Sequence, residues 1–146
     1  MMVIECHSVE ETQSFAAKLS QKFPVGSVVA LIGNLGTGKT TFTQGFAKGL
    51  GINEHVGSPT FKLVSEYEGD PHKLYHIDCY RLENSTDFLN IGGETFLAPE
   101  TGVTLMEWAE IIGDILPEET MTIRFSRIEG KPESRQIKVE GIDGKR

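Results

Sequence analysis

The sequence predicts an α/β domain on a mixed sheet, and three observations predict it. Five consecutive apolar residues, Val28 to Ile32, lie between Gly26 and Gly33, the pattern of a strand buried on both faces. Helical and strand-like patterns alternate on either side of that run. The chain then closes on two strand-like runs around Glu129-Gly130-Lys131-Pro132, a hairpin signal that argues against a purely parallel sheet. With 146 residues and no internal repeat, low-complexity tract or linker, residues 1–146 read as one domain.

Taken in order, Met2 to Cys6 reads as a short strand. Ser8 has the character of a helix N-cap, and Glu11 three residues later completes a capping box. The helix that follows carries Phe15, Leu19 and Phe23 at spacing four and stops at Pro24 and Gly26. After the strand Val28 to Ile32 and a glycine-rich loop, a helix over 39–50 sets Phe42, Phe46 and Leu50 on one face. Gly51 closes it. Strands are predicted at Lys62 to Glu68 and Lys73 to Cys79, joined through Gly69-Asp70-Pro71, with a short helix at Asp87 to Ile91. Val103 to Met106 reads as a further strand, followed by a helical stretch from Trp108. Met121 to Phe125 and Gln136 to Val139 form the terminal hairpin.

Composition narrows the function. The hydrophobic fraction of 38% and charged fraction of 24% are ordinary for a globular protein. A formal net charge of −7 does not suit a protein that holds nucleic acid by charge alone, which needs a dense Lys/Arg surface. Any service to RNA is therefore expected to go through a partner. Cys6 and Cys79 stand far apart and form no CxxC pair, so two reduced cysteines in or beside strands are expected. The opening MMVIECHSVEE has no basic stretch followed by a long apolar run, and no segment is long enough to span a membrane. No signal peptide is expected, and the default location is cytoplasmic.

The strongest signal is Gly33-Asn34-Leu35-Gly36-Thr37-Gly38-Lys39-Thr40, a full match to the phosphate-binding P-loop. It follows a buried strand and opens an amphipathic helix, the context that motif requires. Gly33, Gly36 and Gly38 are expected to give positive φ and to let backbone amides approach phosphate oxygens. The helix N-terminus adds its dipole. Lys39 supplies a charge for the β- and γ-phosphates, and the Thr40 hydroxyl is placed to ligate magnesium. Thr37 and Thr41 are candidates for further phosphate contacts. The expected ligand is a purine nucleoside triphosphate with Mg2+, namely ATP.

Magnesium needs a carboxylate, often at the end of a neighbouring strand. Asp78 and Glu107 both end predicted strands. One is expected to meet the metal and the other to orient water or a switch segment. Thr60, in Ser58-Pro59-Thr60-Phe61, reads either as a γ-phosphate sensor or as a turn before a strand. His76 reads as a base or as a packed strand histidine. Three further classes compete with an ATPase. A small-molecule kinase needs an arginine-bearing lid, and the stretch 81–101 has one arginine, Arg81, at its start. A GTPase needs an Asn-Lys-x-Asp sequence, and none occurs. A nucleotide-gated binding module would use the same residues without turnover.

Beyond the P-loop, three blocks follow in order: Ser58-Pro59-Thr60-Phe61 with Leu63, Val64, Glu66 and Tyr67; His76-Ile77-Asp78-Cys79-Tyr80-Arg81-Leu82; and Glu107-Trp108. Together they resemble the TsaE (YjeE) family, bacterial P-loop ATPases of tRNA threonylcarbamoyladenosine biosynthesis, over nearly the whole chain. The resemblance implies a P-loop NTPase-like mixed sheet with flanking helices and added antiparallel strands. It implies ATP on residues 33–41, Mg2+ on Thr40 and Glu107, and Asp78 as a Walker B-like acid needed for hydrolysis. Thr60 and Glu66 would belong to a switch-like segment, and Thr12 and Arg135 would lie near the nucleotide base. The implied partners are the TsaB and TsaD proteins, with tRNA reached through their complex. The implied target is the adenosine after the anticodon in tRNAs reading codons that begin with A. One departure stands out. The family usually has Asp after the first P-loop glycine, where this chain has Asn34. Asparagine keeps the shape and an acceptor oxygen but loses the charge, so binding is expected to survive and any hydrolytic role of that acid to weaken.

Overall fold

The computed structural model describes residues 2–34, 36–54, 56 and 63–141. Leu35 and the block Ser58-Pro59-Thr60-Phe61 fall outside them, and so does the expectation placed on Thr60. Among the described residues seven strands form one sheet: β1 (Met2–Cys6), β2 (Val28–Ile32), β3 (Val64–Tyr67), β4 (Lys73–Asp78), β5 (Gly102–Glu107), β6 (Met121–Ile128) and β7 (Lys131–Glu140). Their order is β1-β7-β6-β2-β5-β4-β3. The four central strands β6, β2, β5 and β4 are mutually parallel, β3 on one edge and β7 on the other side run antiparallel to them, and β1, antiparallel to β7, runs with the central four at the far edge. The mixed α/β sheet expected from the sequence is therefore present, with β2 at its centre.

Alternation along β2 decides what lies on each face. Val29 and Leu31 point to one side, and Val28 and Ala30 to the other. The first side is covered by α1 (Val9–Ser20) and α2 (Lys39–Gly49), which bury Ala16, Leu19, Phe42 and Phe46 against Leu74, Leu105 and Ile123. The second side is covered by α3 (Ser85–Asn90) and two 3-10 segments, Gly93–Leu97 and Ala109–Ile115, through Phe88, Ala109 and Ile112. Phe42 and Phe125 meet edge to face at 5.4 Å, which ties α2 to the hairpin beneath it.

Local chemistry explains the element ends. The Ser8 hydroxyl accepts the Glu11 amide at 3.0 Å, and the Glu11 carboxylate accepts the His7 amide at 2.9 Å, so α1 has a reciprocal N-terminal cap. Gly51 ends α2 with φ +74°. The third helix starts two residues before its predicted Asp87, because Asn84 caps it by accepting the Asp87 amide at 3.0 Å. The helical stretch predicted from Trp108 is 3-10 rather than α, with a break at Ile112 (φ −113°) just before Gly113. The terminal hairpin is longer than predicted. Arg127 faces Arg135 while Ile128 faces Lys131, so Pro132 to Ser134 form a bulge on β7.

Candidate functional site

The site grows out of strand alternation at the C-terminal ends of β4 and β5. Leu74, His76 and Asp78 share the face that α2 covers, as do Val103, Leu105 and Glu107, because the two strands pair residue for residue through Asp78↔Glu107. The inner residues of that face are apolar and sit under the helix. Those at the strand ends are His76, Asp78 and Glu107, directly beside the point where β2 gives way to α2.

The loop between β2 and α2 is shaped by two glycines. Gly36 has φ +78° and Gly38 has φ +106°, both in the left-handed region that other residues resist. Gly33 departs from expectation, for it has no positive φ. Its need is for room: a Cβ there would lie 2.6 Å from the Thr37 hydroxyl and 3.0 Å from the Phe125 carbonyl. Thr37 is buried and donates its hydroxyl to the Asn34 carbonyl at 2.5 Å, bracing the loop from behind. Gly38 is the N-cap of α2, so no side chain caps that end, and no acid stands in its first turn. The helix therefore presents its amides and positive dipole end to the loop mouth.

Thr12, Gly36, Gly38, Lys39, Thr40, Thr41, Glu107 and Arg135 all line one cleft, joined by Ser8, Val9 and Glu133. Gly33, Thr37 and Asp78 stand outside that lining, the first two as supports of the loop and Asp78 beside Glu107. Thr12 and Val9 come from α1, Glu133 from the β7 bulge and Arg135 from the position just after it. The Arg135 guanidinium donates to the carbonyls of Pro132 and Ser134 at 2.8 Å each and to Gly36 at 3.2 Å. The bulge thus aims it at the loop. Sequence reasoning missed Arg127, whose Nη2 would lie 2.7 Å from a Cβ at Gly36. An arginine on each side of the hairpin turn was the available signal, and their facing each other is set by the bulged register that the structure shows.

Lys39 is only 6% exposed, and its ammonium lies 4.8 Å from the Trp108 ring centroid. Trp108 has φ +59°, a conformation rare outside glycine, and it also packs on Tyr80 with ring centroids 5.1 Å apart. His76 and Glu107 are both buried and meet Nε2 to Oε2 at 2.9 Å. Asp78 accepts the Tyr80 amide at 2.9 Å. Burial pushes its carboxyl above the usual carboxylate range. The neighbouring Glu107 charge adds to the rise, and the Tyr80 amide, His76 and Lys39 oppose it. Glu66 is exposed on the edge strand β3, and Lys73 contacts its carboxylate at 3.0 Å and that of Glu68 at 3.2 Å. Cys6 and Cys79 are buried free thiols as expected, and burial pushes Cys79 up to about 12.

Thr40, Asp78 and Glu107 offer oxygen donors alone, which suits a hard cation such as Mg2+. Among the described residues no three His, Cys, Asp or Glu side chains gather into a metal cage. No helix among the described residues is long and apolar enough to cross a membrane.

A central parallel strand, a glycine loop in left-handed conformations, a buried lysine at the helix start and acids at neighbouring strand ends define a P-loop-type α/β domain. Residues 6–137 match the family described as threonylcarbamoyl adenosine biosynthesis protein TsaE. The chain belongs to that family. Relatives include the tRNA threonylcarbamoyladenosine biosynthesis protein TsaE of Bacillus subtilis, 42% identical over 81% of this chain and 73% of the relative. The Treponema pallidum protein of the same name is 43% identical over 80% and 84%. The crystal structure of Bacillus subtilis YdiB superposes with a TM-score of 0.71 at 36% identity, covering 93% of this chain and 82% of that one.

Proposed function

We propose that this protein is a Mg2+-dependent ATPase, weak alone and stimulated by partners. In this reading it works in the cytoplasm and serves threonylcarbamoyl modification of the adenosine next to the anticodon in tRNAs reading codons that begin with A. One observation carries the reading: Lys39 and the α2 N-terminus open onto the same cleft as the Glu107 carboxylate, with Asp78 next to it in register. The names of the relatives supply the pathway. The partners would be TsaB and TsaD, with transfer of the threonylcarbamoyl group occurring on the partner. A net charge of −7 fits a subunit that leaves the grip on tRNA to that complex.

Each residue has a part in the mechanism. The amides of Gly36, Gly38 and the first turn of α2 would bind the phosphates, and Lys39 would leave its place over Trp108 to meet the β- and γ-oxygens. Thr40 and Glu107 would hold Mg2+, which supplies charge neutralisation on the transferring phosphoryl group. Asp78, its carboxyl held above the usual range by burial, would orient the attacking water. Thr12 and Val9 on one wall and Arg135 on the other would receive the base and ribose.

Lys39→Ala is expected to weaken ATP binding about 100-fold, in line with losing a charge-assisted contact to phosphate in a largely buried site. Fluorescence titration with a labelled ATP checks this, with labelled GTP in parallel. Binding unchanged by Lys39→Ala, or a preference for GTP, would overturn the reading.

A further inference from the structure

We infer that His76 is a positioning residue for Glu107: its Nε2–H holds one carboxylate oxygen and so turns the other into the cleft. This rests on the reading of Glu107 as a magnesium ligand.

The geometry excludes the simpler roles. His76 is 0% exposed, on β4 between β5 and β3, on the face that α2 covers. A ring buried to that degree does not reach a nucleophilic water, so it does not act as the base. Its Nε2 lies 2.9 Å from Glu107 Oε2, and a carboxylate that ligates a cation accepts hydrogen bonds only, so in this role Nε2 is the donor. Its Nδ1 is buried without a hydrogen-bond partner among the described residues. A histidine that served packing alone would gain nothing from this arrangement, since an apolar residue would fill the same space with no orphaned atom.

The ring explains how Glu107 keeps one orientation. Glu107 is 5% exposed at the last position of β5, and it lines the cleft beside Lys39 and Thr40. A glutamate side chain has three torsions, and a carboxylate free to rotate binds a cation less tightly than one already turned towards it. The Cys79 amide donates to the Glu107 carbonyl at 3.0 Å, so the backbone at this point is fixed as well. With backbone and Oε2 both tied down, Oε1 is committed to the cleft. This is the usual work of a hydrogen-bond partner behind a metal ligand.

Divalent-metal affinity tests the inference. Mn2+ binding to the complex with a non-hydrolysable ATP analogue is measured by electron paramagnetic resonance. Binding of the same analogue without metal is measured alongside. His76→Gln, whose amide nitrogen falls near the position of Nε2, is expected to keep Mn2+ affinity within about threefold. His76→Asn, whose amide stops short, is expected to weaken it about tenfold, the lower end of effects at such positions. Metal-free nucleotide affinity stays the same in both, which a merely structural role would not predict. If His76→Asn does not fold, His76→Leu takes its place with the same expectation. Equal Mn2+ affinity in wild type and in the variant without a donor overturns the inference, provided Glu107→Gln weakens Mn2+. If Glu107→Gln leaves Mn2+ affinity unchanged, the reading of Glu107 as a metal ligand fails, and the inference fails with it.

Discussion

Asp78→Asn is expected to cut ATP turnover at least about 100-fold, the scale of losing one well-placed group from a catalytic site. The same change is expected to raise the thermal unfolding midpoint at neutral pH. Both effects come from the same burial. Asp78 sits at the end of β4 against Glu107, and its carboxyl is held above the ordinary range chiefly by lost solvation. The folded state therefore holds a proton on Asp78 more tightly than the unfolded chain does. Stability from this group is present below the unfolded value, about 3.9, and is lost as pH rises through the higher folded value. At neutral pH the ionised side chain opposes folding, and asparagine removes that cost while its amide oxygen still accepts the Tyr80 N–H. Hydrolysis assays and melting curves at neutral and acid pH check the two halves. Turnover within threefold of wild type, or a midpoint that falls at neutral pH, would contradict them.

Gly45→Val is expected to destabilise the protein by about 3 kcal/mol or more, against the ordinary rule that replacing a mid-helix glycine helps a helix. Gly45 lies in α2 where α1 comes closest. A Cβ there would lie 2.5 Å from the Gln13 carbonyl oxygen, and one at Gly49 would lie 2.5 Å from the Ala17 carbonyl oxygen. Those obstacles are backbone, so relief requires the helices to part. Phe42 and Phe46, both fully buried, would lose their packing. The effect would reach the site, because the first turn of α2 is the floor of the cleft. Weaker ATP binding should accompany the loss of stability. Gly113→Ala is the control: nothing lies within 4 Å of a Cβ there, and its unfolding free energy from urea curves should stay within about 0.5 kcal/mol of wild type. Urea unfolding curves that coincide for Gly45→Val and wild type would show that the helices are not in close contact.

The sequence carried those features whose cause is local. The run Val28 to Ile32, the glycine loop, the Ser8–Glu11 cap and the Phe42–Phe46–Leu50 face all depend on residues close in the chain, and all are present in the structure. So are the two strand ends at Asp78 and Glu107. What was not legible depends on tertiary approach. Gly33 reads like its neighbouring glycines, yet its requirement is set by Thr37 and by Phe125 from a distant strand. Met2 to Cys6 reads as a strand, but nothing local says that it pairs with β7. The bulge at Pro132 to Ser134, which brings Arg135 to Gly36, needs a register that hydrophobic patterning does not specify. Trp108 reads as the start of a helix, whereas its left-handed conformation turns the ring over Lys39 and leaves only 3-10 turns to follow.

The central claim is that this cleft turns over ATP under the control of partners. The most direct test is ATP hydrolysis by the pure protein, alone and with TsaB, TsaD and tRNA, comparing wild type with Asp78→Ala. The account predicts slow turnover alone, stimulation by the complete mixture, and loss of that stimulation in Asp78→Ala. ATP binding with no turnover in any mixture would contradict it and would make the protein a nucleotide-gated binding module.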